Sequence, residues 1–413
     1  MTSDPRGLSY CAVAPPTAHS SSVSFVRAGG STAALRVANQ RRVIDALRTG
    51  DSSATITQAD IARTAGLAPA TVSNIVRELL VAGVLETVTG PGRGTAVRIS
   101  RKAGLIAGLD IGHRHLRMAI GDLGGSVLTE HRVPLAPDHP FEQGLDLAEE
   151  MFEKLLGELG ATRSDVLALG MGLPAPIDAA GLVAAASILP GWVGVDARAE
   201  AAARFGCPVH LDNDANLGAL AEHRIGAGAG HDCMVYLKVS SGVGAGLILG
   251  GRLFHGGGGT AGEIGHLTVD SNGPICRCGS RGCLEAYTSV GAVGDMLAGQ
   301  HPGASMKQLV AAAQAGDVAV RRTFEDVGSH IGWGVAMLAN LINPTALVIG
   351  GDMAQAGDYL LESVRDGVRR HALASVSSTL ALTVSSLGDR SGVMGALLLA
   401  LDNTELTLPA AAS

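Results

Sequence analysis

One segment of the chain restricts its fold more than any other. Residues 265–285 read GHLTVDSNGPICRCGSRGCLE, and they contain three of the six cysteines of the whole chain together with a histidine. The segment is rich in glycine and has neither strand nor helix periodicity, so its turns allow side chains to converge. Such ligands satisfy a closed tetrahedral zinc site, which we predict from four residues: His266, Cys276, Cys278 and Cys283.

The predicted zinc is structural, because four protein ligands leave no open coordination position for a catalytic water. Disulfides and inert buried thiols are the alternatives. The chain does not begin with a charged segment followed by an apolar one, so we expect no export and a cytoplasmic protein, in which disulfides are rare. It has no apolar run of about 18 residues or more, which predicts that it does not span a membrane.

Charge divides the chain into a basic head and an acidic body. Residues 1–102 carry a net charge of +6, whereas the whole chain carries −7, so the remainder carries about −13. This asymmetry suggests that only the head meets a polyanion. Residues 1–32 have no period and few apolar residues, and we predict that they form a disordered tail.

Residues 33–102 have the pattern of a winged helix-turn-helix. Leu35, Val43, Ile44 and Leu47 fall at helical spacing in a first helix, and TQAD at 57–60 has the form of a capping box for a second helix of about two turns. A third helix begins near Pro69 and ends before Gly83. Its buried stripe would consist of Val72, Ile75, Val76, Leu79 and Leu80.

The third helix and the hairpin after it are the candidate DNA-binding elements. Two strand-like runs, VLETV at 84–88 and TAVRIS at 95–100, are joined by TGPGRG, which predicts a wing. A small helical protein-binding module is the alternative, but the +5 charge of residues 33–102 favours DNA. The candidate DNA-binding residues are Thr71, Ser73, Asn74 and Arg77 on the outer face of the helix and Arg93 at the tip of the wing.

The body has the pattern of mixed sheets covered by helices. GLIAGLDIG at 104–112 predicts a buried strand that ends near Asp110, and two further strands follow it. VHLDNDANLGALAEH at 209–223 predicts a strand whose end delivers Asn213 and Asp214 to the start of a helix. These two side chains suit hydroxyl binding or general base chemistry, although a helix N-cap is the simpler role. A glycine-rich hairpin at 234–254 turns at SSGVG.

Taken together, these motifs resemble one family. The winged helix is followed by DIG at 110–112, PAPID at 174–178, LDNDAN at 211–216, SSGVGAG at 240–246, AGEIGH at 261–266 and CRCGSRGCLE at 276–285. This order is similar to that of the ROK family of repressors, uncharacterised open reading frames and kinases, over about residues 33–402. The last motif is highly specific to that family.

The resemblance implies an α/β fold in which the head precedes a two-lobed, actin-like or ribonuclease-H-like sugar-kinase domain at 103–413. Lobe one would span about 103–212 plus a C-terminal helix at about 388–402, and lobe two about 213–387. The sugar-binding residues that it implies are Asn213, Asp214, Glu263, His266 and Glu285. In the kinases of the family, Asp214 would be the general base. Zinc would hold the loop that positions Glu263 and Glu285.

Three positions depart from the motifs of the kinases. Their first strand is followed by a DxGGT-type loop that approaches the nucleotide phosphates, but here the sequence reads DIGHRH, with His113 and Arg114 in place of the Gly-Thr pair. Ser240-Ser241-Gly242 stands where the kinases have Gly-Thr-Gly, and Ile188 lies near the position of a sugar-binding asparagine. We therefore expect no enzyme activity and no catalytic residue, with Asp214 as the base if the chain is a kinase after all.

The sequence predicts a sugar-responsive transcription regulator, a repressor of genes for carbohydrate uptake or catabolism. Its expected partners are double-stranded DNA with a pseudo-palindromic operator and a sugar or sugar phosphate. We expect a homodimer or a dimer of dimers, because one recognition helix and one wing offer few base contacts. Two alternatives stay open: a ROK sugar kinase with a regulatory DNA-binding head, and a regulator that responds to a protein instead of a sugar.

Overall fold

The computed structural model describes residues 32–48, 56–89, 95–178, 181–183 and 189–404. The head is a helical unit followed by a small sheet. Its elements are α1 (Thr32–Arg48), β1 (Ile56–Thr57), α2 (Gln58–Ala65), α3 (Pro69–Val81), β2 (Leu85–Thr89) and β3 (Thr95–Ile99). The strands are antiparallel in the order β1-β3-β2. This is the predicted winged helix-turn-helix.

Local chemistry explains where the helices of the head begin and end. The predicted capping box is present, since the Thr57 side chain accepts from the Asp60 backbone N–H and the Asp60 carboxylate accepts from the Thr57 backbone N–H. Helix α2 ends at Gly66, whose φ of 60° is in the left-handed region that glycine tolerates. Pro69 occupies the first turn of α3, as predicted, because its missing N–H has no helical partner there.

The apolar side chains of the head follow the predicted stripes with two differences. Val43, Ile44 and Leu47 of α1 are buried, but Leu35 is 62% exposed, because it lies in the first turn of the helix away from that packing. Leu80 of α3 is only partly buried. The core stripe of α3 consists of Val72, Ile75, Val76 and Leu79.

Lobe one of the body is built on a five-stranded sheet with the order β6-β5-β4-β7-β8. Its elements are β4 (Leu105–Ile111), β5 (His115–Asp122), β6 (Val127–Pro134), α4 (Phe141–Leu159), β7 (Val166–Leu173), α5 (Ala197–Phe205) and β8 (Val209–Asn213). β4 pairs in parallel with β7, and β7 with β8, so their carboxyl ends meet at one edge. Helices α4 and α5 cover one face with a core that contains Phe152 and Phe205.

Helix α6 (Asp214–Ile225) follows β8 directly and leads to the second five-stranded sheet, with the order β11-β10-β9-β12-β13. Lobe two contains β9 (Cys233–Val239), β10 (Val243–Leu249), β11 (Arg252–Leu253), α7 (Glu285–Thr288), α8 (Val290–Met296), α9 (Met306–Gln314), α10 (Val318–Ile342), β12 (Ala346–Gly350), α11 (Asp358–His371), α12 (Ala374–Ser377) and β13 (Ala381–Val384). The predicted hairpin between β9 and β10 turns at residues 240–242.

The last helix, α13 (Ser391–Asn403), returns to pack against α6 and the first sheet. Glycine makes this packing close: a Cβ atom at Gly395 would lie 2.0 Å from the carbonyl oxygen of Leu217 in α6, and one at Gly170 would lie 1.9 Å from that of Ala396. On its other side α6 contacts β10, where a Cβ at Gly246 would lie 2.4 Å from the Ala215 carbonyl. Helix α6 is therefore held between the two lobes.

The predicted fold class is confirmed: a winged helix-turn-helix precedes a two-lobed α/β body. The head also shares an apolar cluster with the body, since Val43 and Leu47 of α1 belong to the same cluster as Leu397 and Leu401 of α13. Among the described residues, no helix is both long and apolar enough to cross a membrane.

Candidate functional site

The four predicted metal ligands converge. The Nδ1 of His266 lies 3.8 Å from the Sγ of Cys276, and the Sγ atoms of Cys278 and Cys283 are 3.7 Å apart. All four ligand atoms lie within 4.8 Å of one another. A tetrahedral zinc with Zn–S bonds of about 2.3 Å places its sulfur ligands about 3.8 Å apart, so the cluster has the right size for one zinc ion.

The backbone of the loop explains how its three cysteines reach one point. Two short bridges, Thr268 with Cys283 and Ile275 with Arg281, fold the segment back on itself. Gly282 has a φ of 62°, and a Cβ atom there would lie only 1.6 Å from the carbonyl oxygen of Asp270. Glycine is therefore required at this turn, which precedes Cys283.

The cluster of predicted metal ligands is in contact with a group of carboxylates. The Nε2 of His266 faces the Glu263 carboxylate at 3.8 Å, while Nδ1 faces the thiols. Glu285, at the start of α7, is buried, and its Oε2 accepts a hydrogen bond of 3.0 Å from the Val243 backbone N–H. Its Oε1 lies 4.0 Å from the Sγ of Cys276. The loop that would hold zinc thus touches two of the predicted sugar-binding residues.

The pKa of Glu263 reflects how close the three carboxylates are to one another. Burial and, to a smaller extent, the negative charges of Asp214 and Glu285 together raise this pKa to about 7. Asp214 comes from the start of α6, Glu263 from the segment after β11, and Glu285 from α7. Three separate segments of the chain therefore bring acidic hydrogen-bond acceptors close enough for their charges to interact, and such acceptors can bind hydroxyl donors.

Asp214 is paired with a lysine that the motifs do not indicate. The Nζ of Lys238, on β9, lies 2.6 Å from the Oδ2 of Asp214, and both side chains are largely buried. Burial lowers the pKa of Lys238, but the carboxylates of Asp214 and Asp110 outweigh burial and raise it, so the lysine is charged. The only signal in the sequence is a lysine within the otherwise apolar run MVYLKV.

Asn213 is the N-cap of α6. Its Oδ1 accepts a 2.8 Å hydrogen bond from the Ala215 backbone N–H, and its Nδ2 donates a 3.0 Å bond to the Ala175 carbonyl. The side-chain amide has two N–H groups, so one remains for a ligand. The neighbouring Asp212 accepts from Asn216 and pairs with His255 at 2.8 Å, and neither the aspartate nor the histidine was among the predicted site residues.

The loop that departs from the kinases is packed with histidine. The Nε2 of His115 lies 3.3 Å from the Oδ2 of Asp110, and His113 pairs with Asp138 at 3.2 Å. A Cβ atom at Gly112 would lie 2.3 Å from the His115 ring, which shows how closely the ring covers the turn. Side chains therefore cover the loop whose sequence departs from the kinase motif.

The turn at Ser240-Ser241-Gly242 is also contacted by other side chains. Arg277, which lies between two of the metal-site cysteines, donates a 2.7 Å hydrogen bond to the Ser241 carbonyl and lies 3.6 Å from Glu285. The hydroxyl of Ser240 donates to Asp352. Arg277 is absent from the predicted site, because an arginine between cysteines gives no indication of where its side chain will reach.

The predicted DNA-binding residues of α3 lie on one surface. Asn74 and Arg77 are exposed, and Thr71 and Ser73 are partly exposed, opposite the buried stripe of the helix. Arg93 lies outside the described residues, as does Ile188. The strands β2 and β3, which pair to form the base of the predicted wing, follow α3 in the chain.

Comparisons with known proteins also divide the chain between the head and the body. The model of the ROK family matches residues 106–403, and that of the IclR helix-turn-helix domain matches residues 41–89. The xylose repressor of Caldicellulosiruptor bescii is 29% identical over 368 residues, which cover 84% of this chain and 92% of the repressor.

Two solved structures are similar to different extents of the chain. A ROK family transcriptional regulator, a homologue of the E. coli MLC protein, is 26% identical with a TM-score of 0.71, covering 87% of this chain and 96% of the regulator. A ROK glucokinase from Streptomyces griseus, in complex with glucose and AMPPNP, is 30% identical with a TM-score of 0.63, covering 73% of this chain and 100% of the kinase.

Proposed function

The chain belongs to the ROK family, and from that premise we propose that it is a sugar-responsive DNA-binding repressor of genes for carbohydrate uptake or catabolism. One observation carries this proposal. The match to a xylose repressor covers 84% of this chain and 92% of the repressor, whereas the match to a glucokinase covers the whole kinase but only 73% of this chain. The additional part of this chain includes the winged helix-turn-helix.

We propose that the sugar is bound by the group of carboxylates in the cleft. Asp214, Glu263 and Glu285 would accept hydrogen bonds from sugar hydroxyls, and the free N–H of Asn213 would donate one. His266 lies beside Glu263, so it would orient that carboxylate and complete the set. Xylose and glucose are the first sugars to test, since they are the sugars in the names of the similar proteins.

A structural zinc ion is part of the proposal. His266, Cys276, Cys278 and Cys283 would hold it, and its binding energy would keep the loop folded. The ion would fix His266 and the start of α7, which carry two of the sugar-binding positions. Its role is therefore to hold the site in place, and this chain's own side chains do the binding.

We also propose that the chain has lost kinase activity. The rings of His113 and His115 and the side chain of Arg277 occupy the two loops that approach phosphate in the kinases. The kinase alternative keeps one supporting observation, the presence of Asp214 at the start of α6. Burial raises the pKa of Asp214 above its ordinary value, although the charge of Lys238, whose Nζ donates to the Oδ2 of this carboxylate, acts in the opposite direction.

The repressor is proposed to act as a homodimer or a dimer of dimers on a pseudo-palindromic operator. Thr71, Ser73, Asn74 and Arg77 of α3 would lie in the major groove, with Arg93 of the wing near the backbone. A sugar that weakens DNA binding 100-fold needs only about 2.7 kcal/mol of preference for the state that does not bind DNA.

The deciding experiment is fluorescence anisotropy with duplex DNA from upstream of the protein's own gene, at fixed salt, with and without each of a panel of free and phosphorylated sugars. A sugar-dependent shift in affinity is the expected result. Sugar-dependent ATP turnover that disappears in Asp214→Asn would instead support the kinase. DNA binding that no sugar changes would point to a protein effector.

A further inference from the structure

Two arginines of α1 form hydrogen bonds with the body, one of them with the C-terminal helix. The Nη2 of Arg41 donates a 3.3 Å hydrogen bond to the backbone carbonyl of Asp402, in the last turn of α13. The Nε of Arg48 donates a 3.2 Å bond to the carbonyl of Leu123, the residue that follows β5. Since the two units also share an apolar cluster, α1 cannot shift without changing its contacts with α13.

The side chain of the same aspartate is held by the helix that starts in the cleft. The Oδ2 of Asp402 accepts a 2.9 Å hydrogen bond from the Nη2 of Arg224. Arg224 lies in the last turn of α6, and Asp214 of the cleft is the first residue of that helix. Asp402 is therefore bonded through its carboxylate to α6 and through its backbone to α1.

Helix α6 is well coupled to α13 along its length. Besides the contact of Gly395 with Leu217, the fully buried carboxylate of Glu222 accepts hydrogen bonds from the Ser391 hydroxyl at 3.1 Å and the Leu387 backbone N–H at 3.1 Å. A buried carboxylate with this many donors resists displacement. Because this packing is close, a displacement of α6 at its Asp214 end also displaces α13.

Asp402 also has a second cation nearby. The side chain of Arg48 is largely buried, and among the described residues its Nη2 has no hydrogen-bond partner. Burial lowers the pKa of Arg48, while the charges of Asp45 and Asp402 act in the opposite direction. An unused N–H group on a buried guanidinium is costly, so a conformation that gives it an acceptor gains free energy.

From this arrangement we propose that Asp402 is the switch through which displacement of α6 in the cleft reaches the DNA-binding head, by exchanging its carboxylate between Arg224 and Arg48. In the structure described, Arg224 holds the carboxylate. When α6 withdraws Arg224, the carboxylate pairs with Arg48 and α1 changes its position on α13. This inference rests on the proposed function, because it names the route by which sugar would change DNA affinity.

Two variants test the switch. Arg224→Gln and Asp402→Asn each remove the ion pair and keep the size of the side chain, while the backbone carbonyl that Arg41 uses remains. Arg204→Gln is the matched control, since it breaks the ion pair of Arg204 with Asp146, which joins α5 to α4 far from these helices. For each protein the affinity for DNA is measured by anisotropy without sugar and with xylose or glucose, and the affinity for sugar by calorimetry.

The switch predicts that both variants lose most of the sugar effect. The ratio of DNA affinities without and with sugar should fall by about tenfold towards one, whereas sugar affinity should stay within about threefold of the wild type. The control should keep the wild-type ratio. A ratio that remains unchanged in both variants overturns the proposal.

A second readout needs no sugar. Amide hydrogen exchange in α1 should become faster in Arg224→Gln, although among the described residues Arg224 is connected to the head only through Asp402, and should stay unchanged in Arg204→Gln. If no sugar changes the DNA affinity of the wild type, the proposed function fails, but exchange in α1 still decides the switch. Equal rates of amide exchange in α1 of Arg224→Gln and of the control Arg204→Gln would overturn the proposed switch.

Discussion

The ammonium of Lys238 lies 2.6 Å from the carboxylate of Asp214, and both side chains are largely buried. Strand β9 of lobe two supplies the lysine, and the first residue of α6 supplies the aspartate. The pair satisfies a charge that burial would otherwise make costly.

Breaking this pair on one side should be severely destabilising. Lys238→Met leaves Asp214 as an isolated buried charge, so we expect a loss of about 3–5 kcal/mol in the free energy of unfolding. Urea denaturation of the variant measures this loss, with the exposed Lys307→Met as the matched control. The double variant Lys238→Met with Asp214→Asn should recover part of the loss, and a double variant as unstable as the single one would contradict the ion-pair explanation.

Removal of one thiol should abolish metal binding. Cys278→Ser leaves three ligands, so we expect the loss of bound zinc, a lower melting temperature and a sugar affinity reduced by at least about tenfold. Metal analysis of the purified protein and calorimetry with sugar measure these effects. Cys233→Ser, which changes a thiol outside the cluster, is the control. A Cys278→Ser protein with one zinc per chain would exclude this cysteine as a ligand.

Glu263→Ala should separate sugar binding from DNA binding. Removing this carboxylate takes an acceptor from the cleft but touches nothing in the head, so DNA affinity should stay within about twofold while sugar affinity falls about tenfold or more. The result would be a repressor that no longer responds to its inducer. Glu362→Ala, an exposed carboxylate on α11, should behave as the wild type. Unchanged sugar affinity in Glu263→Ala would remove this residue from the site.

Arg77→Ala should weaken DNA binding and leave sugar binding unchanged. If Arg77 contacts a phosphate, affinity should fall for all sequences, and the slope of log affinity against log salt should decrease by about one. If Arg77 contacts a base, the loss should be about 1–3 kcal/mol and confined to the operator. Arg322→Ala, which changes an exposed arginine of α10, serves as the control. DNA affinity equal to that of the control would place Arg77 away from the DNA.

The capping box of α2 should contribute to the stability of the head. Thr57→Ala removes the acceptor for the Asp60 N–H and should cost about 1 kcal/mol. Hydrogen bonds from Thr57 also hold the pKa of Asp60 below its ordinary value, so their contribution is present at neutral pH and is lost as pH falls through the folded-state pKa. Unfolding curves at neutral and acidic pH measure both effects. Equal stability of variant and wild type at neutral pH would contradict the capping role.

The helices of the head and the cluster of predicted metal ligands were predictable because the sequence patterns that indicate them are local. The TQAD capping box, Pro69 and the apolar stripe of α3 specify the helices of the head through contacts within one or two turns. The four residues His266, Cys276, Cys278 and Cys283 lie within eighteen residues of one another, so a short, glycine-rich loop is sufficient to bring them together. Family motifs added the carboxylates, whose placement around one cleft the fold then produced.

Other residues were unpredictable because their partners lie far away in sequence. Asp402 meets Arg41 across 361 positions and Arg224 across 178, and no local pattern marks any of the three. Nothing in the segments around Lys238 and Arg277 indicates a role for them, which becomes visible only from their hydrogen bonds to Asp214 and Ser241. The exposure of Leu35 likewise depends on what packs against α1.

By itself, the sequence determined the order of the head and the body, the helix caps and the cluster of His266 with three cysteines, because backbone preference and short-range spacing depend on adjacent residues. The tertiary structure alone decided which charges pair between distant segments, what His115 and Arg277 contact, and how α1 is bonded to α13. Those outcomes depend on the packing of α6 between two sheets, and packing at that range is fixed only when the whole chain has folded.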